Sequence, residues 1–142
     1  MTTAREIMHA GVECVNEQKT MADTARMMRD SQIGALPVCD TQDRVTGIVT
    51  DRDLVIHGMA EGVDPQSAGL SGVASDNPVR VDGDAEVSDV VHLMEQHSIR
   101  RLPVMEDGHV VGMISEADLA AHLPESETGQ FVEDICSAPP TP

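Results

Sequence analysis

The chain has 142 residues, 40% of them apolar, and a net charge of -16 from 25 acids against nine bases. That is the length of about one domain, with enough apolar content for a core. The charge, with Phe131 as the sole residue among Phe, Trp and Tyr, argues against nucleic acid and anionic membrane as partners, because phosphate backbones need clustered Lys and Arg and single strands need stacking platforms. No run of eighteen apolar residues is present to span a bilayer, and MTTAREIMHA lacks the apolar core of a secretory signal. A cytoplasmic location is therefore expected, with unconventional secretion left open.

Sliding the sequence by 66 residues aligns Ile7 with Val73, Val15 with Val81, Met28 with Met94, and IGALPV (33–38) with IRRLPV (99–104). After one deleted loop residue Gly47 lies over Gly112. The chain is thus a tandem repeat, and each half is small enough to need the other to bury its apolar face. The boundaries read from this match are 7–64 and 73–124, with a linker over 65–72 and a tail over 125–142 that ends in the Pro-rich SAPPTP.

Each repeat reads β-α-β-β-α. GVECV and NPVRV predict a short first strand. A helix follows, with Met21, Thr24, Ala25 and Met28 in the first copy and Val87, Val90, Val91 and Met94 in the second at the i, i+3, i+4, i+7 spacing of a buried stripe. Thr20 and Asp23 have the spacing of a capping box at the start of the first of these helices. ALPVCD and RLPVME predict a second strand, a turn follows near Asp43 or Asp107-Gly108, and VTGIVT or VVGMIS predicts a third. A last helix runs over about 52–59 and 116–123, the latter stopped by Pro124.

The third strand closes on TDRD (50–53) in one copy and SEAD (115–118) in the other. Capping alone accounts for this pattern: a hydroxyl at the N-cap accepts the N–H three residues on, and the acid there reaches back. The same residues also suit a nucleoside phosphate. Helix-start N–H groups and the hydroxyl of Thr50 or Ser115 favour phosphate, and the carboxylate of Asp53 or Asp118 accepts from ribose hydroxyls. The copies differ in cations, since Arg100-Arg101 precede LPV in the second whereas Gly34-Ala35 stand in the first; Arg52 is a further candidate.

The β-α-β-β-α unit with LPV and G-h-h-[TS]-x-x-D, where h is apolar, resembles the CBS domain, and two in tandem resemble a Bateman module. The likeness covers about residues 7–123. It implies an α/β (α+β) fold of two repeats related by a pseudo-two-fold axis. It also implies adenosine ligands such as AMP or ATP in the clefts between repeats, with Thr50, Ser115 and Arg101 at phosphate and Asp53 and Asp118 at ribose. For a stand-alone pair it implies a regulatory, stress-response role of the hypoxia type. The competing expectation is a ligand-free homodimer joined through the broad apolar faces of LVIHGMA (54–60) and ADLAAHL (117–123).

Cys14 in the first strand and Cys39 at the end of the second are placed side by side by a β-α-β crossover. Two readings stand, a disulfide stabilising by about 3 kcal/mol and a pair of buried reduced thiols of the cytosolic kind. The resemblance favours the bond; Cys136 is expected to be free. Six histidines lack strong metal spacing. His97 and His122 end two helices that this fold packs on one side of a sheet, and with Glu125 or a partner's residues they are candidate ligands for zinc. No nucleophile has a base at a recognisable spacing, so the chain reads as a non-enzyme.

Overall fold

The computed structural model describes residues 1–137; the Pro-rich end lies outside them from residue 138 on. The elements are α1 (Ala4–Ile7), β1 (His9–Ala10), β2 (Val15–Asn16), α2 (Met21–Ser31), β3 (Ala35–Cys39), β4 (Val45–Thr50) and α3 (Asp51–Asp53). After α3 the helix continues as a π turn over Leu54–Gly58 and a 3-10 turn over Met59–Glu61. Then come β5 (Ser75–Asp76), β6 (Val81–Asp82), α4 (Val87–His97), β7 (Arg101–Glu106), β8 (His109–Ser115), α5 (Glu116–His122) and α6 (Glu125–Cys136). The expected β-α-β-β-α order is present twice, in a mixed α+β fold.

Both halves build the same sheet. In one the order is β2-β3-β4-β5 and in the other β6-β7-β8-β1. The central hairpins are in register, Leu36 facing Val49 and Leu102 facing Ile114, with a bulge after Val38 in one and after Val104 in the other. The helices before them, α2 and α4, turn their apolar stripes inward through Met21, Thr24 and Met28 and through Val90 and Met94. They end at Gln32 and Ser98, each in the left-handed conformation that stops a helix. Thr20 caps α2 by accepting the Asp23 N–H at 3.1 Å, while the Asp23 carboxylate turns to Arg26.

The edge strands do not follow the sequence repeat. β1 lies at the start of the first copy yet pairs with β8 of the second, His9 opposite Met113, whereas β5 lies at the start of the second copy yet pairs with β4 of the first. The described residues therefore divide into one unit of Glu13–Pro78 and another of Met1–Val12 with residues 79–137. These limits differ from the repeat boundaries because strand pairing is long-range, whereas periodicity is read locally. Gly11 and Asn77, 66 residues apart, precede the two crossings, both with positive φ. The Gly11 N–H donates to Val111 and the Asn77 N–H to Thr46.

The segment expected to be a linker is built into the first unit. The Met21 and Ala22 N–H groups at the start of α2 donate to the Ala68 and Pro65 carbonyls, so this segment completes the helix start. Leu70 and Val73 are buried. Hydrogen bonds from the Gln66 N–H and the Ser67 hydroxyl hold the Asp64 carboxyl below its usual range. In the second unit residues 2–8 do the equivalent work, with the Ala4 N–H donating to Ala85 and the Val87 N–H to Thr2. Arg5 adds ion pairs to Asp84 and Glu106. Ala4 and Ile7 join a core of Val81, Val90, Met94, Leu102, Val104, Ile114 and Leu119.

The tail also differs from expectation. Residues 125–136 form α6, which packs on α4 and α5 and buries Phe131 and Ile135 in the same core. Pro124 at the N-cap lets a new helix start directly after α5.

Candidate functional site

In each unit the strand that ends the hairpin delivers a hydroxyl to a helix start. Thr50 and Ser115 are extended N-cap residues of α3 and α5. Thr50 Oγ1 accepts the Asp53 N–H at 3.0 Å and the Thr50 N–H donates to Asp53 Oδ2 at 2.9 Å. Ser115 and Asp118 repeat the pattern, and there Asp118 Oδ2 also lies 3.0 Å from Ser115 Oγ. Both copies are thus reciprocal capping boxes. Each commits one carboxylate oxygen to the backbone and leaves Oδ1 outside the box.

The open N–H groups expected at these helix starts are largely taken. In the first unit the Asp51 N–H donates to the Gly34 carbonyl and the Arg52 N–H to Asp51 Oδ1, and the Asp53 N–H is capped. In the second the Glu116 N–H donates to the Arg100 carbonyl at 2.8 Å. An anion at either site would therefore depend on side-chain hydroxyls and guanidinium groups more than on helix N–H groups.

Strand register decides which cation stands nearby. Arg101 is directly opposite Ser115 in the β7–β8 ladder, and Ala35 occupies the same place opposite Thr50. Directly opposed residues project to one face with Cβ atoms about 5 Å apart. Arg101 thus shares a face with Ser115, which Asp118 caps, whereas the first unit has an alanine at that place and carries Arg52 exposed on the first turn of its helix. Arg100 lies beside Glu116, Nη1 to Oε1 3.7 Å, and Glu116 Oε2 is buried with no hydrogen-bond partner among the described residues. Glu116 was not singled out by the sequence, although the SEAD motif contains it.

The glycine of the repeated motif has its own cause. A Cβ on Gly47 would lie 2.3 Å from the Ser75 carbonyl oxygen, and one on Gly112 would lie 2.7 Å from that of His9. These glycines admit the exchanged edge strands.

Cys14 and Cys39 are free thiols, and Cys39 Sγ donates to the Val15 carbonyl at 3.7 Å. Burial, aided by the neighbouring Cys39 thiol, pushes the Cys14 thiol up to about 12; burial also raises Cys39. Cys136 is free and exposed. His97 ends α4 and His122 ends α5, with His122 Nδ1 2.8 Å from the Asp118 carbonyl oxygen. Among the described residues no group of three or more His, Cys, Asp and Glu is placed to hold a metal ion, and no helix is long and apolar enough to cross a membrane.

Residues 4–59 and 70–125 each match the CBS domain. The chain is 48% identical over 137 residues to Hypoxic response protein 1 of Mycobacterium tuberculosis, covering 96% of each. Among solved structures, Hypoxic Response Protein I with two coordinated zinc ions is similar at 46% identity and a TM-score of 0.76, over 87% of this chain and 100% of that one. CBSX2 in complex with AMP shares the fold at 20% identity and a TM-score of 0.73, over 86% of this chain and 96% of that one.

Proposed function

We propose, from the premise that this chain belongs to the CBS domain family, that it is a non-enzymatic cytoplasmic regulator which binds an adenosine monophosphate-type nucleotide chiefly through its second repeat. The observation that carries this reading is Arg101 opposite Ser115, with Asp118 three residues on. Arg101 and the Ser115 hydroxyl meet the phosphate, and Asp118 Oδ1 accepts from the ribose hydroxyls. Thr50, Asp53 and Arg52 form the weaker counterpart, because Ala35 offers no charge. The AMP complex of a neighbour with this fold supports the ligand class, and the relative of M. tuberculosis supports a low-oxygen stress role.

Calorimetry with AMP, ADP, ATP and adenosine tests the reading. AMP should release heat saturably, Arg101→Gln should weaken binding at least tenfold, and Arg52→Gln should change it little. Absence of heat across the panel at millimolar ligand would overturn it.

A second reading is a homodimer that holds zinc through His97 and His122, with the remaining ligands from another copy, and whose Cys14 and Cys39 oxidise to a disulfide. The zinc ions of the 46% identical structure favour it, as does the Cys39 thiol lying 3.7 Å from the carbonyl oxygen of Val15, the residue after Cys14. Metal analysis of untagged protein, with and without His97→Ala, tests the zinc part. Equal metal content in both would reject it.

A further inference from the structure

Residues 2–10 lie against the two elements that carry Ser115 and Asp118. Here α1 packs on α5 and on β8, and β1 pairs with β8 through Gly112 and Met113, the latter two residues before Ser115. Ala4 and Ile7 are buried in one core with Ile114, the residue before Ser115, and Leu119, the residue after Asp118. Met8 closes over Gly112, where a Cβ would lie 2.6 Å from its Sδ. The segment thus supports both the strand end and the helix start that the Ser115 and Asp118 capping box joins.

The bonds that tie this segment down are few and near solvent. The Ala4 and Arg5 N–H groups donate to the Ala85 and Gly83 carbonyls at 2.8 and 3.0 Å, and the Val87 N–H donates to Thr2. β1 adds a two-residue ladder at the sheet edge, with His9 and Ala10 both exposed. Arg5 works as a clasp, reaching Asp84 at 2.9 Å and also Glu106, but its own side chain is half-exposed. A segment held by a short edge ladder and open ion pairs releases more readily than an inner strand such as β7.

We propose that residues 2–10 are a strap, clasped by Arg5, whose docking is coupled to occupancy of the second repeat's site; this rests on the nucleotide reading above. Release of the strap takes Ala4 and Ile7 from beside Ile114 and Leu119, and the strand end and helix start lose the packing that fixes one against the other. A nucleotide held by Arg101, Ser115 and Asp118 needs those two elements in place, so it binds the docked form and opposes release. The effect is mutual, because a ligand that prefers one state and a change that depopulates that state act on the same equilibrium. Release also uncovers the β8 edge, and an open edge is a template for another strand. Nucleotide thereby sets how often that edge is available.

Amide hydrogen exchange on the full chain, with and without AMP, tests this once calorimetry has fixed the affinity. Without AMP the Ala4 and Gly11 N–H groups, bonded to Ala85 and Val111, should exchange faster than those of β7. With AMP at about 100 times its dissociation constant they should slow by about 100-fold, the limit for a released form that binds none. Arg5→Gln should speed both amides severalfold and leave β7 unchanged. AMP that binds in calorimetry without slowing Ala4 and Gly11 overturns the coupling while the nucleotide reading stands. Exchange at Ala4 as slow as in β7, or untouched by Arg5→Gln, overturns the clasped strap. If no nucleotide binds, both readings fall.

Discussion

Asp53 and Thr50 bond to each other in both directions, the Thr50 hydroxyl taking the Asp53 N–H and the Asp53 carboxylate taking the Thr50 N–H. The proposed nucleotide site therefore draws on the same two side chains that cap the helix, in this unit and in its twin. Thr50→Ala and Ser115→Ala should each lower unfolding free energy by about 1 kcal/mol, the usual worth of an N-cap. Urea denaturation with and without AMP separates the roles. A nucleotide site adds a ligand-dependent gain in stability that Ser115→Ala diminishes, and simple capping gives the same loss whether ligand is present or not.

The two motif glycines should be intolerant for a non-local reason. Gly47→Ala and Gly112→Ala drive a methyl group into the backbone of β5 and β1 respectively, and overpacking of this kind costs about 1–3 kcal/mol. Hydrogen exchange should show faster exchange at Ser75 and Asp76 in the first variant and at His9 and Ala10 in the second. Unchanged exchange there would mean that the edge strands are not held by this close approach.

Ile7 and Phe131 lie 124 residues apart in sequence but share one core. Ile7→Ala should cost about 2–5 and Phe131→Ala about 3–5 kcal/mol. Both should loosen the unit of β6, β7, β8 and β1 first, with protection lost at Leu102, Val104 and Ile114 before Val49. Equal loss in both units would indicate one cooperative block instead.

The reduced thiols should separate by reactivity. Cys136 is exposed, whereas Cys14 and Cys39 are shielded and their thiols shifted upward, so a thiol reagent at neutral pH should label one site quickly and two slowly. The raised Cys14 value means that the folded state keeps a proton which the unfolded chain gives up above about 9. Its contribution is thus intact below pH 9 and is lost as pH rises toward 12. Stability of the reduced protein should fall over that range, and Cys14→Ser should flatten the fall. If the two are joined as a disulfide, alkylation without reductant labels Cys136 alone.

The sequence alone determined the tandem repeat, the α2 and α4 stripes except for Ala25, which is exposed, the paired hairpins and the hydroxyl and acid that cap each following helix. These are short-range patterns, fixed by a period of 3.6 or 2 and by a hydroxyl three residues before a carboxylate. Tertiary structure decided that β1 and β5 join the opposite copy's sheet, that Glu125–Cys136 is a sealing helix, and that Val55, Ile56 and Met59 stay open. It also set Arg101 across from Ser115 while Ala35 faces Thr50. Each of these depends on which distant backbone supplies a hydrogen bond or an apolar face, and two-residue strands carry too little pattern to name their partner. Phe131 and Ile135, four residues apart, were the one local hint of the last helix, and the Pro-rich end beside them masked it.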